Sequence, residues 1–384
     1  MKTRTLTKKL HLWLGLLSGI VIFIMAVTGC FLVFANDIES AGTPALYVRK
    51  GQVLLDPGTL KAQVERQIRI QPTDSQSTVT GITYGSKGKP ATATCILQGG
   101  KYTELTIDPY TGKIMHYPFG KDFFNFIFKG HRSLWLPPAI GGPVIGWSIV
   151  IFVFELLSGI ILWLPRKWNK HSARSRMLIQ WLTSVSSLPY SLHNTLGGYL
   201  LILAFLIAFT GLTWSFSSLS KVYYSALTGR TYQEWTSPLS DTTAVDTINH
   251  ADIRLWKKIR HIYPVGQQGT LQFNFPKDHA GAYTICYNPV PGRHYTNEYR
   301  FYDQYTLKEL SGGGNFGIRN SSLTTGDKIF RMSYDIHSGS IAGLPGNILA
   351  FLVSLIIASL PVTGFLMWWR RRKVHKKSKQ KPKS

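Results

Sequence analysis

The sequence predicts an integral membrane α-helical protein: four transmembrane helices in a twofold internal repeat, with two α+β domains on the outer, periplasmic side. Three observations carry this. Four apolar runs, Leu10 to Phe34, Pro143 to Leu164, Thr195 to Phe216 and Ile348 to Trp369, are each about 20 residues or slightly longer, enough to cross roughly 30 Å of hydrocarbon. The first and third runs repeat in register, because Leu10, His11, Leu14, Gly15, Thr28 and Gly29 match Leu192, His193, Leu196, Gly197, Thr210 and Gly211 at a constant offset of 182 residues. Most of the net charge of +24 lies in three segments free of Asp and Glu: the N-terminal tail, the stretch between the second and third runs, and the tail from Arg370 onward.

That charge distribution is the positive-inside pattern and sets both termini in the cytoplasm. It also removes the support for a nucleic-acid-binding reading, since the tail "RRRKVHKKSKQKPKS" is accounted for by topology and anionic lipid. In chain order, residues 1–34 form a tail and first helix, 35–132 a first outer domain, 133–165 the second helix and 166–191 a cytoplasmic loop. Residues 192–216 form the third helix, 217–336 the second outer domain, 337–369 the fourth helix and 370–384 a basic tail. "VTGC" at Val27 to Cys30 resembles a lipoprotein processing site, but the apolar stretch continues beyond it and exceeds a signal h-region, so the helix is read as retained.

The outer segments alternate like strands, as in Tyr102 to Ile107 before the turn "DPYTG", and helical stretches over Pro57 to Arg69 and Thr247 to Ile259 precede the strands. Cys95 and Cys286 both fall in these segments and could pair in an oxidising compartment. The aromatic segment from Phe119 to Phe128 reads as an interfacial amphipathic helix. Gly/Pro breaks follow His131 and His337; a straight helix from His131 to Trp163 would run about 48 Å, so each of these histidines is expected on a short segment folded back toward the bundle.

Four histidines stand at membrane boundaries, His11 and His193 at the cytoplasmic face, His131 and His337 at the outer one. Imidazoles facing each other across a bundle can fill both axial positions of a haem iron, which predicts two b-type haems, one per face, and an electron path between them. A lone boundary histidine is an ordinary interfacial residue; related positions in both halves favour ligands. Zinc is disfavoured, since no Cys or carboxylate clusters with the four. Gly15 and Gly197 lie one turn beyond their histidines; singly such glycines let helices approach, but at the same offset from histidine in both repeats they are read as clearing space for a flat ring. Arg132 and Arg331 could meet haem propionates, with interfacial snorkelling as the alternative. Glu155, the acidic residue inside an apolar run, serves either a proton route or a hydrogen bond to a neighbouring helix. With both axial positions filled, the iron would only pass electrons, and an acceptor such as a ferric chelate would be reduced at a haem edge.

"LHLWLGLLSG", "LHNTLGGY", a "TG" seventeen residues after each of their histidines, "GHRSLW", "DIHSG" and "LTIDPYTGKI" together resemble the PepSY-associated transmembrane helix family, whose members include iron-regulated membrane proteins and siderophore-iron reductases. The resemblance spans nearly the whole chain. It implies two PepSY-like periplasmic domains and, as in reductase members, b-type haems on His11, His131, His193 and His337. It further implies a bacterial inner-membrane enzyme passing electrons from quinol or a cytoplasmic reductant to a periplasmic ferric siderophore. The second outer segment, "FYDQYTLKEL", departs from the pattern by lacking the turn glycine. PepSY domains also act as peptidase regulators, so the rival expectation is a membrane-anchored binding protein without redox activity. A transporter, suggested by the repeat, is disfavoured by the scarcity of buried charge.

Overall fold

Long apolar runs must satisfy their backbone polar groups internally, and helices do so. In a computed structural model, which describes residues 2–41, 52–69, 76–116, 121–165, 167, 169–181, 187–244 and 250–379, the chain divides into two units. One comprises Met1–Ala35, Asp122–Ser220 and Ile336–Ser384, the other Asn36–Lys121 and Lys221–Asp335.

The first, helical unit contains α1 (Lys2–Leu32), α2 (Lys121–Ser133) from Asp122 onward, α3 (Pro138–Trp163), α4 (Leu188–Tyr199), α5 (Leu201–Ser215), the end of α6 (Ser333–Ser338) from Ile336 onward, and α7 (Leu344–Lys379). Among the described residues, α1, α3 and α7 are each long and apolar enough to cross a membrane, and α4 with α5 form a fourth candidate span bent by 67°. No proline stands at this bend; it follows the Gly197-Gly198 pair, a recognised cause of kinks. The helices pack through Ala26, Ala204, Ala208 and Ala358 together with Ile22, Ile149 and Val353, small residues that bring backbones close where lipid offers no hydrophobic drive. Large apolar side chains point outward instead, Ile20, Phe154 and Ile202 among them. The turn that separates α2 from α3 is built at Leu134 and Trp135, both in the left-handed region (φ 53° and 58°), upstream of the Gly/Pro cluster to which sequence attributed it. Pro137 and Pro138 instead start α3, where a missing N–H costs nothing. Between α6 and α7 glycines supply the turn, Gly339 and Gly343 at φ 83° and 64°.

The second unit revises the expectation of two outer domains. Its strands β1 (Thr78–Tyr84), β2 (Ala91–Ile96), β3 (Tyr102–Ile107), β4 (Ile114–His116), β5 (Thr270–Asn274), β6 (Ala282–Asn288), β7 (Glu298–Asp303) and β8 (Glu309–Leu310) form one antiparallel sheet in the order β4-β3-β2-β1-β5-β6-β7-β8. Each half is a four-stranded meander, and the halves join where β1 pairs with β5, Gly81 opposite Asn274 and Tyr84 opposite Leu271. An isolated meander would expose the edge of its first strand; pairing two such edges removes both. Leu60 and Val64 of the helix Pro57–Ile68, with Leu255, Trp256 and Ile259 of the helix Ala251–Ile262, pack in one core with Ile82, Leu105, Phe273 and Ile285. Of the segments expected to be helical, Thr247 to Asn249, and Phe119 and Gly120 of the aromatic stretch, lie outside the described residues.

The missing turn glycine is replaced rather than the turn lost. In the first half Asp108 accepts from Tyr110 N–H at 2.8 Å and Gly112 takes φ 68°. In the second half Asp303 accepts from the N–H groups of Tyr305 and Thr306, both at 2.8 Å, and Leu307 takes φ 55°. A leucine there carries the steric cost of the left-handed region that glycine avoids. Although burial pushes the Asp303 carboxyl up, the N–H donors of Thr306, Asp241 and Tyr305 hold it below the usual carboxylate range.

Cys95 and Cys286 are free and buried, which corrects the pairing considered from sequence. They lie on β2 and β6 with β1 and β5 between them; three strand spacings amount to about 14 Å, twice what a disulfide tolerates. Burial pushes both thiols up to about 12.

Candidate functional site

The helical unit gathers the four boundary histidines into two pairs. His11 on α1 and His193 on α4 have ring centroids 6.1 Å apart and planes at 87°. His131, in the last turn of α2, and His337, in the last turn of α6, stand 6.4 Å apart at 72°. The short helices α2 and α6 thus do what the long spans could not: they turn a histidine back onto the bundle.

Every one of the four imidazoles is held through Nδ1. His131 Nδ1 lies 3.0 Å from Met25 O and 3.0 Å from Thr28 Oγ1. His193 Nδ1 lies 3.1 Å from Leu360 O and 3.0 Å from Thr363 Oγ1, and His337 Nδ1 lies 3.0 Å from Ile207 O and 3.0 Å from Thr210 Oγ1. A carbonyl only accepts, so Nδ1 carries the proton in these three rings and Nε2 keeps its lone pair. His11 Nδ1 lies 2.9 Å from Ser158 Oγ. Ser158 Oγ donates its hydrogen to Glu155 O at 3.0 Å and is left to accept, which selects the same tautomer.

The receiving hydroxyl is followed each time by glycine: Thr28-Gly29, Ser158-Gly159, Thr210-Gly211 and Thr363-Gly364. A Cβ built on those glycines would stand 3.5, 3.8, 3.5 and 3.6 Å from Cε1 of His131, His11, His337 and His193. Each ring therefore rests its Cε1 edge on a bare stretch of helix, with the hydroxyl beside it fixing the ring's rotation. Gly15 and Gly197, one turn beyond His11 and His193, do not play this part. Gly15 faces Glu155 and Gly197 faces Leu360, a Cβ on either falling 3.7 Å from those side chains. Gly15 and Gly19 do line a cleft of about 300 Å³ between α1 and α7, together with Phe23, Pro361 and Phe365.

Paired imidazoles with free Nε2 lone pairs suit a metal held axially. A metal–imidazole bond is about 2 Å, and Nε2 sits about 1.1 Å from its ring centroid, so opposed axial rings have centroids about 6 Å apart; both pairs match. Among the described residues no three His, Cys, Asp or Glu side chains come together as a metal site. The remaining coordination positions would have to come from a planar non-protein ligand, and a porphyrin would meet that requirement.

The other residues singled out from sequence separate. Arg132, exposed beside His131, holds its guanidinium 5.9 Å from the Phe128 ring centroid. Arg331 belongs to the sheet unit and is 5% exposed. Its guanidinium donates to Asn315 O and Ile318 O at 2.9 Å, and to Asn297 O and Asn320 Oδ1 at 3.3 Å. This corrects its assignment as a propionate partner, because Nη1 and Nη2 are committed to holding the segment 297–320 in place. Glu155 accepts from Ser18 Oγ at 2.8 Å. The matching positions of the second half are Leu200 and Leu360, so this acid–hydroxyl pair has no counterpart across the repeat. Arg4 and Arg176, not singled out from sequence, donate to Leu162 O at 2.7 and 3.4 Å, cationic caps on the last carbonyls of α3.

No curated protein matches the chain. Residues 8–371, nearly the whole length and including all four histidines and all four hydroxyl-glycine pairs, match the PepSY-associated TM region. With its antiparallel sheet and its apolar helices, the chain is a membrane protein of the PepSY-associated TM region family.

Proposed function

We propose that the protein holds two b-type haems, one between His11 and His193 and one between His131 and His337, and passes electrons across the bacterial inner membrane to a periplasmic ferric siderophore. The observation that carries this reading is the opposition of two imidazole pairs, 6.1 and 6.4 Å between centroids, with every Nδ1 engaged by the protein. Haem held between the two imidazoles of each pair would supply one-electron transfer.

The chain's own part is to hold and insulate. On α1, His11 and Thr28 are seventeen residues apart, about 25 Å along the axis, so one helix supplies a ligand to the first centre and anchors a ligand of the second. The charge pattern orients the first centre toward the cytoplasm, where quinol or a soluble reductant is the donor. Arg132, beside His131 at the opposite face, offers a cation to a propionate or to an anionic chelate. Glu155 and Ser18 give the inner centre a carboxyl for the protons that accompany oxidation of a quinol. The substrate gains one electron at the outer edge; its iron becomes ferrous, hard oxygen donors hold it less tightly, and it is released.

Anaerobic mixing tests this. Protein reduced with dithionite and freed of excess reductant is combined with a ferric hydroxamate and a ferrous-iron trap. The expected result is loss of the reduced α bands matched by trapped ferrous iron, one per haem. Bands that persist beside the chelate would leave a membrane-anchored binding protein as the better reading.

A further inference from the structure

The four hydroxyls at the Ser/Thr-Gly pairs have more to do than fill space. Thr28 Oγ1 donates to Ile24 O at 2.7 Å and Met25 O at 3.0 Å. Thr210 Oγ1 does the same to Leu206 O and Ile207 O at 2.8 and 2.9 Å, and Thr363 Oγ1 to Ser359 O and Leu360 O at 2.9 and 3.0 Å. Each hydroxyl spends its hydrogen on its own helix, so only its lone pairs face the histidine. The i−3 carbonyl that it touches is the same carbonyl that accepts from Nδ1: Met25, Ile207 and Leu360. Nδ1 is thereby clamped between two acceptors on one helical turn. Ser158 differs. It lacks the methyl that restricts χ1 in threonine, and its hydroxyl donates to one carbonyl, Glu155 O.

The receivers also follow the repeat. His11 and His131 of the first half are clamped by Ser158 and Thr28 of the first half, and His193 and His337 of the second by Thr363 and Thr210 of the second. Each half therefore orients its own two imidazoles, and each pair is completed by bringing one oriented ring from either half together.

We infer that Thr28, Ser158, Thr210 and Thr363 are positioning residues that fix the rotation of their imidazoles, and at His11 the Nδ1-protonated tautomer as well, and that they raise the donor strength of Nε2, so that they set the redox potential of the metal their histidines ligate, with the Ser158 clamp the most adjustable. This rests on the di-haem reading. A hydrogen bond accepted from Nδ1–H makes the imidazole a stronger donor, which favours the ferric state; removing the acceptor shifts the equilibrium toward ferrous iron and raises the potential.

The test uses full-length protein carrying Thr28→Val, Thr210→Val, Thr363→Val or Ser158→Ala, each beside a variant that keeps the hydroxyl: Thr28→Ser, Thr210→Ser, Thr363→Ser or Ser158→Thr. Haem content, midpoint potentials and the low-spin ferric EPR signal are read for all. Expected is retained haem, with a ferrous-to-ferric ratio at fixed potential raised by up to about tenfold (~59 mV for one electron), the largest change at Ser158→Ala, and wild-type values in the hydroxyl-keeping set. If a valine variant loses haem altogether, restoration by serine supports the inference and failure of serine to restore overturns it. Unchanged potentials with haem retained would overturn it and leave the di-haem reading standing. A wild-type protein that binds no haem would overturn both.

Discussion

His193→Ala is expected to cut the haem content from about two to about one per chain, with the reduced α-band amplitude falling by about half. The inner pair consists of His11 and His193 alone, and no other described histidine, cysteine or carboxylate clusters with them to substitute. The outer pair uses different rings and different receivers, Thr28 and Thr210, so its spectrum should survive. His11→Ala should produce the same loss at the same centre, and His131→Ala or His337→Ala the complementary one. Electron transfer across sealed vesicles should vanish in all four, because a wire cut at either end does not conduct. Quantifying haem per chain and recording low-temperature reduced-minus-oxidised spectra checks this; equal retention of both bands in His193→Ala would contradict the assigned pairing.

Arg331→Ala is expected to destabilise the sheet unit strongly, by about 1–3 kcal/mol for each buried acceptor it strands. The side chain is 5% exposed, and removing it strips Asn315 O and Ile318 O of donors 2.9 Å away. Lysine should not rescue it, since a single ammonium cannot reach four oxygens spread around a planar fork. Denaturant unfolding monitored by tryptophan fluorescence provides the measurement. Haem loss without loss of stability would instead restore the propionate role that sequence alone suggested.

Both outcomes bear on what could be read from the sequence. The pairs were legible because they are written twice: His11 and His193 share their flanking Leu and Gly at one offset, and His131 and His337 each precede a break in the chain. The spans were legible because hydrocarbon demands an unbroken apolar run. The clamps were present in the sequence as "TG" and "SG", but nothing local says that a threonine seventeen residues along one helix will receive a histidine from another. That depends on α2 and α6 folding back; the α6 turn uses Gly339 and Gly343, but the α2 turn depends on Leu134 and Trp135 adopting positive φ, a conformation their side chains do not advertise. Arg331 misled because standing six residues before His337 does not bring its guanidinium to the histidine pair; its long side chain reaches Asn297, Asn315, Ile318 and Asn320. The joining of two meanders into one sheet was likewise hidden, because edge pairing between β1 and β5 leaves no signature beyond the strands themselves.

The most direct test is the haem-to-protein ratio of the purified full-length chain produced in haem-replete cells, measured as the pyridine haemochrome against amino-acid analysis. Two b-type haems per chain with the low-spin spectrum of bis-imidazole ligation are expected; a colourless preparation from the same cells would contradict the di-haem assignment.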